Sequence, residues 1–386
     1  MFQRTILSVL IMICLIPTFC AATFSIVAYD PVAGEWGVAV ASREIAAGAF
    51  VPWLEAGSGA VVTQALINPS FGVDGLAMMR NGFSAEQTLN ALLDRDGGDV
   101  SSRQVALIDS DGNVAAYSSD KFGHYAGVRR GEGYSVQGNT LVGEEVLVEM
   151  EQAYLETEGP LALRLMEALR AGDNAGGDRR GRQSAALRVV REKSDIRRIT
   201  DGLIDLRIDN HPQATEELVE AFMHWSHQIM IHFYMSSGNA FDHDRGEILL
   251  DWIVTYEQTK PNPDPTNLHR MATYFMYSDL VPETALALRR DHLSLEWRND
   301  AEALNSFAWW CFEHNVNLVE AESLARRGVK LTNGTERANI LDTLAEIVNA
   351  RGRRDEAKRL IDKALKLDPK SDHLVGQKVR FAQPED

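Results

Sequence analysis

The stretch TFSIVAYDPVAGEWGVAVAS, residues 23–42, decides the fold of the first half of the chain. Two apolar runs, Thr23–Tyr29 and Trp36–Ser42, flank a connection whose Asp, Pro and Gly residues are typical of a turn. The pattern predicts an antiparallel β-hairpin centred near Ala33. With that centre the numbers of paired residues sum to about 66, so Thr23 is expected opposite a position close to Arg43.

The residues before this hairpin have the pattern of a secretory signal. Arg4 precedes an apolar run over residues 6–16, and Ala22 supplies a small residue just before a cleavage point. Cleavage there makes Thr23 the first residue of the mature protein. A lipoprotein anchored at Cys20 is the alternative. The sequence therefore predicts a secreted or periplasmic location.

Composition limits the classes of partner and the means of stabilisation. The formal net charge is -16, and loss of Arg4 with the signal makes it one unit more negative. Such an acidic chain is not expected to bind nucleic acid, which requires clustered Lys and Arg. Of the three cysteines, only Cys311 lies beyond the signal, so no internal disulfide is expected and the fold depends on its core.

The region after the hairpin alternates between strand and helix patterns. Helices are predicted within 70–93, where Ser84 has the pattern of an N-cap, and within 143–171. Further strands are predicted at Gly59–Ala65, Gln104–Ile108, Asn113–Ser118, Tyr134–Gln137 and Ser184–Arg191. This order favours an α+β layered sandwich.

The composition changes near residues 205–213, beyond which long helical patterns dominate. We therefore predict a signal peptide at 1–22, an α+β domain at 23–204 and a helical domain at 205–386.

Three motifs with metal-binding residue types are expected to be structural instead. Residues 109–112 resemble half of a calcium loop, without the remaining ligands. His224, His227 and His232 share a helical pattern with apolar neighbours, and residues 242–244 suit a polar loop and helix cap. No metal and no cofactor is therefore predicted.

An amino-terminal threonine supplies two catalytic groups. Its hydroxyl is a nucleophile, and its α-amine, with an unperturbed pKa of about 7.7 to 8.0, is a base near neutrality. The protein must still provide donors for an oxyanion and polar groups that orient the amine. Predicted strand ends and glycine-rich loops offer candidates: Arg43, Gln64, Asn68, Asn139 and Asp178.

Two segments have open alternatives. In the loop GGDRRGRQ, residues 176–183, Asp178 pairs with Arg179, Arg180 or Arg182 near the terminus, or else the loop is simply solvated. Gly138 and Asn139 either contribute backbone amides to an oxyanion hole or form a turn.

Several motifs together resemble an uncharacterised bacterial family usually placed among the N-terminal-nucleophile (Ntn) hydrolases. They are residues 23–28, 36–43, 63–65, 68–70 and 176–186. The resemblance implies a four-layer αββα sandwich with Thr23 as nucleophile. Ntn hydrolases such as proteasome subunits place a lysine near the nucleophile, whereas residues 42–48 offer Arg43 and no lysine. Its guanidinium can supply positive charge but cannot shuttle protons.

The second domain resembles a tetratricopeptide-like helical repeat. Glu320-Ala321 recurs as Glu356-Ala357, a spacing of 36 residues. Repeats of this class have a period of about 34 residues. Leu324, Val329 and Leu331 recur at the same offset as Leu360, Leu365 and Leu367. Further helices are predicted at Thr215–Tyr234, Asp244–Tyr256 and Thr266–Leu288.

The sequence thus predicts a secreted amidohydrolase. We expect the catalytic residues to be Thr23, Arg43, Gln64, Asn139 and Asp178. We expect Asn68, Gly138 and Arg182 to contact the oxyanion or the substrate. The substrate is expected to be a small-molecule or peptide amide. The alternative is a catalytically silent binding or scaffold protein that contacts a protein partner through its repeats.

Overall fold

The computed structural model describes residues 22–97, 100–192, 201–226, 240–261 and 297–383, with side chains from Asp244 onward in the fourth range. The chain divides into two compact units, one ending at Leu249 and the other beginning at Leu250. All strands of the described residues belong to the first unit. The predicted helix at Thr266–Leu288 lies outside the described residues.

The first unit contains two antiparallel sheets. Its strands are β1 (Thr23–Asp30), β2 (Glu35–Ser42), β3 (Pro52–Glu55), β4 (Gly59–Ala65), β5 (Arg103–Asp109), β6 (Val114–Ser118), β7 (Tyr125–Gly131), β8 (Tyr134–Leu141), β9 (Ser184–Arg191) and β10 (Gly202–Ile208). One sheet has six strands in the order β10-β9-β2-β1-β8-β7, and the other has four in the order β3-β4-β5-β6. The strand β1 therefore lies inside the larger sheet, between β2 and β8.

The predicted hairpin is confirmed. In the β1–β2 pair, Thr23 lies opposite Ser42 and Asp30 opposite Glu35, one position away from the predicted register. Asp30 Oδ1 accepts hydrogen bonds from the backbone amides of Val32 (3.0 Å) and Ala33 (3.1 Å), which orders the turn. The hairpin thus fixes Thr23 at the beginning of an interior strand.

The two sheets pack against each other through alternate residues of their strands. Val27, Val38 and Val40 from the larger sheet share one buried cluster with Val62 and Ala106 from the smaller sheet. Because side chains alternate between the faces of a strand, Thr23 and Ser25 share the inter-sheet face with Val27. The same rule places Gln64 on that face of β4, beside Val62.

Helices cover the outer face of each sheet. The helices of the first unit are α1 (Ala47–Phe50), α2 (Pro69–Arg80), α3 (Ala85–Arg95), α4 (Glu145–Glu156), α5 (Leu161–Asn174) and α6 (Ala214–Trp225). The short helix α1 is the exception to this arrangement, because its Ala47 belongs to the buried cluster between the sheets. The helices α2 and α3 contact the smaller sheet, whereas α4, α5 and α6 contact the larger one. At Gly37 of β2 the approach of α5 is so close that an added Cβ would lie 2.4 Å from Leu165 Cδ1.

Helix caps account for two sequence signals. Ser84 caps α3, and a reciprocal bond from the Gln87 side chain completes a capping box. Asn68 caps α2 by accepting a hydrogen bond from Ser70 N at 3.1 Å. The predicted role of Ser84 is therefore confirmed.

The structure differs from the sequence expectations at three strands and at the domain boundary. The strands β3, β7 and β10 were not predicted, and Gly138 and Asn139 lie within β8 instead of in a turn. The boundary predicted between 204 and 205 falls inside β10, which pairs with β9. Backbone pairing and the packing of α6 on these strands extend the first unit beyond that point.

The helix α7 (Ala240–Thr259) spans the division between the units, and the second unit continues with α8 (Ala301–Glu313), α9 (Leu318–Leu331), α10 (Gly334–Ala350), α11 (Arg354–Leu367) and α12 (Asp372–Ala382). Neighbouring helices pack in pairs, α8 with α9 and α10 with α11, each pair joined by a short connection. The helix α9 begins at Leu318 and α11 at Arg354, 36 residues later. The predicted repeat is thus present as two successive helical hairpins.

Equivalent positions of the two hairpins have matching environments. Ala321 and Ala357 are both fully buried, and Leu324 and Leu360 are both nearly so. These small and apolar residues form the inner faces of α9 and α11. A stack of this kind buries its own core between neighbouring repeats.

Candidate active site

Thr23 lies at the end of the inter-sheet space and is buried, with 1% of the residue exposed. It pairs with Ser42 of β2 on one side and with Asn139 of β8 on the other. The antiparallel order brings the end of β2 and the end of β8 to the beginning of β1. Polar residues at these strand ends therefore meet at Thr23.

The Thr23 hydroxyl contacts the hydroxyl of Ser42. Their oxygens are 3.1 Å apart, and Ser42 Oγ also donates to the carbonyl oxygen of Ala22 at 2.6 Å. Since the single Ser42 hydroxyl proton is used on Ala22, the Thr23 hydroxyl is the donor to Ser42. Ser42 Oγ accepts a further bond from Glu44 N at 3.1 Å, which fixes its position.

Two side-chain amides donate to the Thr23 carbonyl, and a third amide, Gln104, holds both of them. Gln64 Nε2 donates to the carbonyl at 3.3 Å and Asn139 Nδ2 at 3.5 Å. Both amides also donate to Gln104 Oε1, at 2.7 Å and 3.0 Å. Gln104 in turn donates to Ser118 Oγ at 2.8 Å. The amides thus hold one another and the backbone of Thr23 in a fixed arrangement.

The polar group continues inward along the inter-sheet face. Ser25 Oγ donates to Gln64 Oε1 at 2.7 Å and accepts from Gln137 Nε2 at 2.7 Å. All these amide side chains are fully buried. Burying polar groups is costly unless they are hydrogen-bonded, so this network is highly specified. Within the described residues, Asn139 Oδ1 has no hydrogen-bond partner, which leaves an open acceptor beside Thr23.

Asp178 and Arg180 approach the same end of β1 from the loop before β9. Asp178 Oδ2 accepts from Arg180 Nη2 at 3.0 Å and from Arg43 N at 2.7 Å. Arg180 Nη1 contacts Glu44 Oε1 at 2.7 Å, and Arg180 Nη2 donates to the Ala22 carbonyl at 3.0 Å. Burial alone would lower the pKa of Arg180, but its bonds to Asp178 and Glu44 prevail and raise the pKa.

Of the three arginines in the loop, the structure therefore identifies Arg180 as the partner of Asp178 near Thr23. Arg182 lies elsewhere, because its guanidinium binds Asp173 at the end of α5 with Nε–Oδ2 at 2.7 Å. Arg43 contributes its backbone amide to Asp178, while its exposed guanidinium donates to Gln183. The positive charge expected from Arg43 comes instead from Arg180.

Asn68 and Gly138 are also used differently from the expectation. The Asn68 side chain caps α2 and donates to Asp96 at 3.2 Å, so it orders the helix layer. Gly138 lies opposite Phe24 of β1 and Gly127 of β7. Strand pairing on both sides surrounds its backbone, and its carbonyl accepts from Gln104.

Three residues next to this group adopt the left-handed backbone region. Ala65 (φ 66°) and Thr140 (φ 53°) come directly after Gln64 and Asn139, and Ala46 (φ 54°) lies four residues after Ser42. Left-handed conformation in residues other than glycine costs free energy, of order 1–3 kcal/mol each. Such strain concentrated around one point is typical of a functional site.

Sequence reasoning missed Ser42 and Gln104. The sequence predicts Ser42 at the end of a strand, but its contacts with both Thr23 and Ala22 depend on the exact strand register. Gln104, Ala106 and Ile108 lie two residues apart along β5 and therefore share its inward face. A polar residue on this otherwise apolar face is the signal that could have identified Gln104.

In the part of the chain that the structure describes, no group of three or more His, Cys, Asp or Glu residues could hold a metal ion. His227 and His232 lie outside that part, and the side chain of His243 is not among those described. Among the described helices, none combines the length and apolar character needed to cross a membrane.

The first unit is thus a mixed α/β domain of two packed antiparallel sheets with a buried polar group at Thr23, and the second is a helical-repeat unit. The chain belongs to the family of unknown function DUF1028, whose family model matches residues 23–218. No curated protein matches the chain significantly.

Solved structures resemble each part of the chain. The DUF1028 protein SPO2555 from Silicibacter pomeroyi is 28% identical over 53% of this chain and 89% of its own, with a TM-score of 0.48. TPR-like repeats from Podosopora anserina are 16% identical over 42% of this chain and 86% of theirs, with a TM-score of 0.31. PilF of Pseudomonas aeruginosa is 15% identical over 42% and 69%, with a TM-score of 0.27.

Proposed function

We propose that the protein is a secreted or periplasmic amide hydrolase of the Ntn type, in which cleavage after Ala22 makes Thr23 the catalytic amino terminus. The observation that carries this proposal is the convergence on Thr23. Its hydroxyl bonds to Ser42, its carbonyl is held by Gln64 and Asn139, and the residue before it is held by Arg180. Polar groups from separate strands and a loop meet at the one residue that the predicted cleavage would expose.

The proposed reaction uses both groups of the terminal threonine. The α-amine accepts the hydroxyl proton as Thr23 Oγ1 bonds to the substrate carbonyl carbon, giving a tetrahedral intermediate. Collapse of the intermediate breaks the carbon–nitrogen bond, and the proton passes to the leaving amine. Water then attacks the acyl-threonine ester, releasing a carboxylic acid and regenerating Thr23.

The surroundings of the terminus suit this use of the amine. Asn139 Oδ1 is a buried acceptor without a partner among the described residues, next to a side-chain nitrogen that already reaches Thr23. An amine has more donors than the peptide nitrogen it replaces, so Asn139 Oδ1 gives the new donors a destination. We infer that Asn139 orients the lone pair of the amine toward the hydroxyl proton.

The arrangement of layers also favours the proposal. Two face-to-face sheets with helices on both outer faces correspond to the αββα architecture that Ntn hydrolases share. Fold alone does not define function, and the chemistry at Thr23 is therefore the stronger support.

A second candidate function is binding or scaffolding through the helical hairpins of the second unit. This alternative is favoured by the type of positive group near Thr23. Ntn hydrolases such as proteasome subunits have a lysine there, whereas this protein has Arg180, whose guanidinium cannot give up a proton at neutral pH. In this alternative, the polar group at Thr23 only stabilises the end of β1.

Hydrolysis of a panel of N-acyl p-nitroanilides by the mature protein distinguishes the two. If the enzyme proposal holds, Thr23→Ala abolishes p-nitroaniline release, Thr23→Ser retains part of it, and Thr157→Ala at the end of α4 leaves it unchanged. Equal rates for Thr23→Ala and the unsubstituted protein would exclude Thr23 as nucleophile. The thermal midpoint of each variant shows whether a loss of activity reflects unfolding.

A further inference from the structure

We infer that Ser42 Oγ and Arg180 Nη2 form the oxyanion hole of this site, and that the hole accepts the neutral carbonyl of an amide or ester in preference to a carboxylate. The inference rests on the proposed function of Thr23. It replaces the backbone amides near Gly138 and Asn139 that the sequence suggested for this task.

The Ala22 carbonyl oxygen marks the position of the hole. It accepts from Ser42 Oγ at 2.6 Å and from Arg180 Nη2 at 3.0 Å. These distances match those expected between oxyanion donors and a developing negative oxygen. The same Ser42 oxygen lies 3.1 Å from the Thr23 hydroxyl oxygen, so the two donors and the nucleophile adjoin one carbonyl position. Once cleavage removes Ala22, a substrate carbonyl can take that position.

Both donors are held in place before any substrate binds. Ser42 Oγ is fixed by Glu44 N and by Thr23. The guanidinium of Arg180 is held by Asp178 and Glu44, and Asp178 is itself fixed by the backbone amide of Arg43. Preorganised donors need not reorient as charge develops, which is the main source of stabilisation in such sites.

The charges around Arg180 favour a neutral ligand. Asp178 and Glu44 lie at 3.0 Å and 2.7 Å from its guanidinium and together more than balance its single positive charge. A full carboxylate at the Ala22 oxygen position would meet both of them at short range, whereas an uncharged carbonyl would not. The substrate class is therefore an N-acyl compound or peptide whose scissile carbonyl has no carboxylate directly attached. The carboxylic acid product ionises next to these groups, which promotes its release.

The chemical step needs no further reactant. As Thr23 Oγ1 bonds to the carbonyl carbon, the carbonyl π electrons move to the oxygen, and the α-amine takes the hydroxyl proton. The resulting oxyanion accepts the bonds from Ser42 and Arg180. On collapse the electrons return and the leaving group departs.

The test measures acylation of Thr23 in the mature protein by p-nitrophenyl acetate, followed by p-nitrophenol release and intact mass. Arg180→Gln and Ser42→Ala should each lower the acylation rate by about 10²–10³-fold with KM changed less than about threefold. Arg182→Gln, in the same loop but bound to Asp173, is the matched control and should retain the full rate. The pH dependence set by the α-amine should keep its midpoint in Ser42→Ala.

Each outcome decides a different statement. If Thr23→Ala abolishes acylation while Arg180→Gln and Ser42→Ala stay within about threefold of the unsubstituted protein, the oxyanion assignment fails and the proposed function stands. If the unsubstituted protein is not acylated at Thr23, the proposed function fails and this inference fails with it. Should Arg180→Gln unfold, Ser42→Ala decides, because the two donors belong to different segments.

Substrate preference is tested with N-acetyl and N-oxalyl p-nitroanilides, and faster hydrolysis of the oxalyl compound would contradict the preference for a neutral carbonyl.

Discussion

Replacing Asp178 by alanine should destabilise the first unit much more than removal of an exposed carboxylate. The Asp178 side chain is 1% exposed, and that of its partner Arg180 is 27% exposed. Its oxygens accept from Arg43 N at 2.7 Å, Arg180 N at 2.8 Å and Arg180 Nη2 at 3.0 Å. The substitution leaves two backbone donors and a partly buried cation without these acceptors. Removing one partner of a buried ion pair costs about 3–5 kcal/mol.

Thermal unfolding gives the corresponding shift. In a unit of this size, 1 kcal/mol corresponds to roughly 2–4 °C, so Asp178→Ala should lower the melting temperature by roughly 6–20 °C. Asp178→Asn keeps an acceptor oxygen, so its melting temperature should lie between those of Asp178→Ala and the unsubstituted protein. The matched control is Asp205→Ala, because Asp205 pairs with Arg188 at 3.3 Å with its side chain 57% exposed. Exposed pairs of this kind contribute about 0–1 kcal/mol. Equal shifts for Asp178→Ala and Asp205→Ala would refute the structural role assigned to Asp178.

Two further predictions concern a carboxyl group and a glycine. Burial raises the pKa of Asp342 despite its 2.7 Å contact with His373, so the folded state binds a proton more tightly than the unfolded state. The contribution of Asp342 to stability is then fully present below its unfolded pKa near 3.8 and is lost as the pH rises through the higher folded pKa. Urea titrations from pH 3 to 7 should show this loss in the unsubstituted protein but not in Asp342→Asn. Parallel pH profiles of the two proteins would contradict the prediction. Gly59→Ala should lower the melting temperature clearly, because Gly59 has φ 142° and an added Cβ would lie 2.3 Å from Ile108 O. Gly202→Ala, with no atom within 4 Å of the added Cβ, should change it little, and equal effects of the two substitutions would contradict the packing argument.

The hairpin and β4 were predictable because their signals are local. Alternating apolar residues and a turn sequence define β1 and β2, and β4 extends from Gly59 to Ala65 as the sequence indicated. The strand β7 was not predictable, because its sequence YAGVRRG has no alternation of apolar and polar residues. Its residues are mostly half-buried and include two arginines, two glycines and one alanine.

The candidate site was predictable in part. Gln64, Asn139 and Asp178 are predicted near Thr23 from their places at strand ends and in a loop. In the structure, Gln64 and Asn139 donate to the Thr23 carbonyl, and Asp178 binds the arginine that contacts the Ala22 carbonyl. The choice of Arg180 over Arg43 depends on how the loop folds back over Ser42, which is a long-range feature of tertiary packing. The function of Asn68 as a helix cap was hidden for a different reason, since a cap and a ligand-binding side chain have the same residue preferences.

The most direct test of the central claim is mass analysis of the amino-terminal peptide of the mature protein after exposure to p-nitrophenyl acetate. The proposal predicts that the peptide begins at Thr23 and that the acetyl group is an ester on its hydroxyl in the unsubstituted protein. A chain that begins at Cys20 with a lipid, or at any residue other than Thr23, would contradict the proposal, because the Thr23 nitrogen would then lie in a peptide bond and could not act as the base.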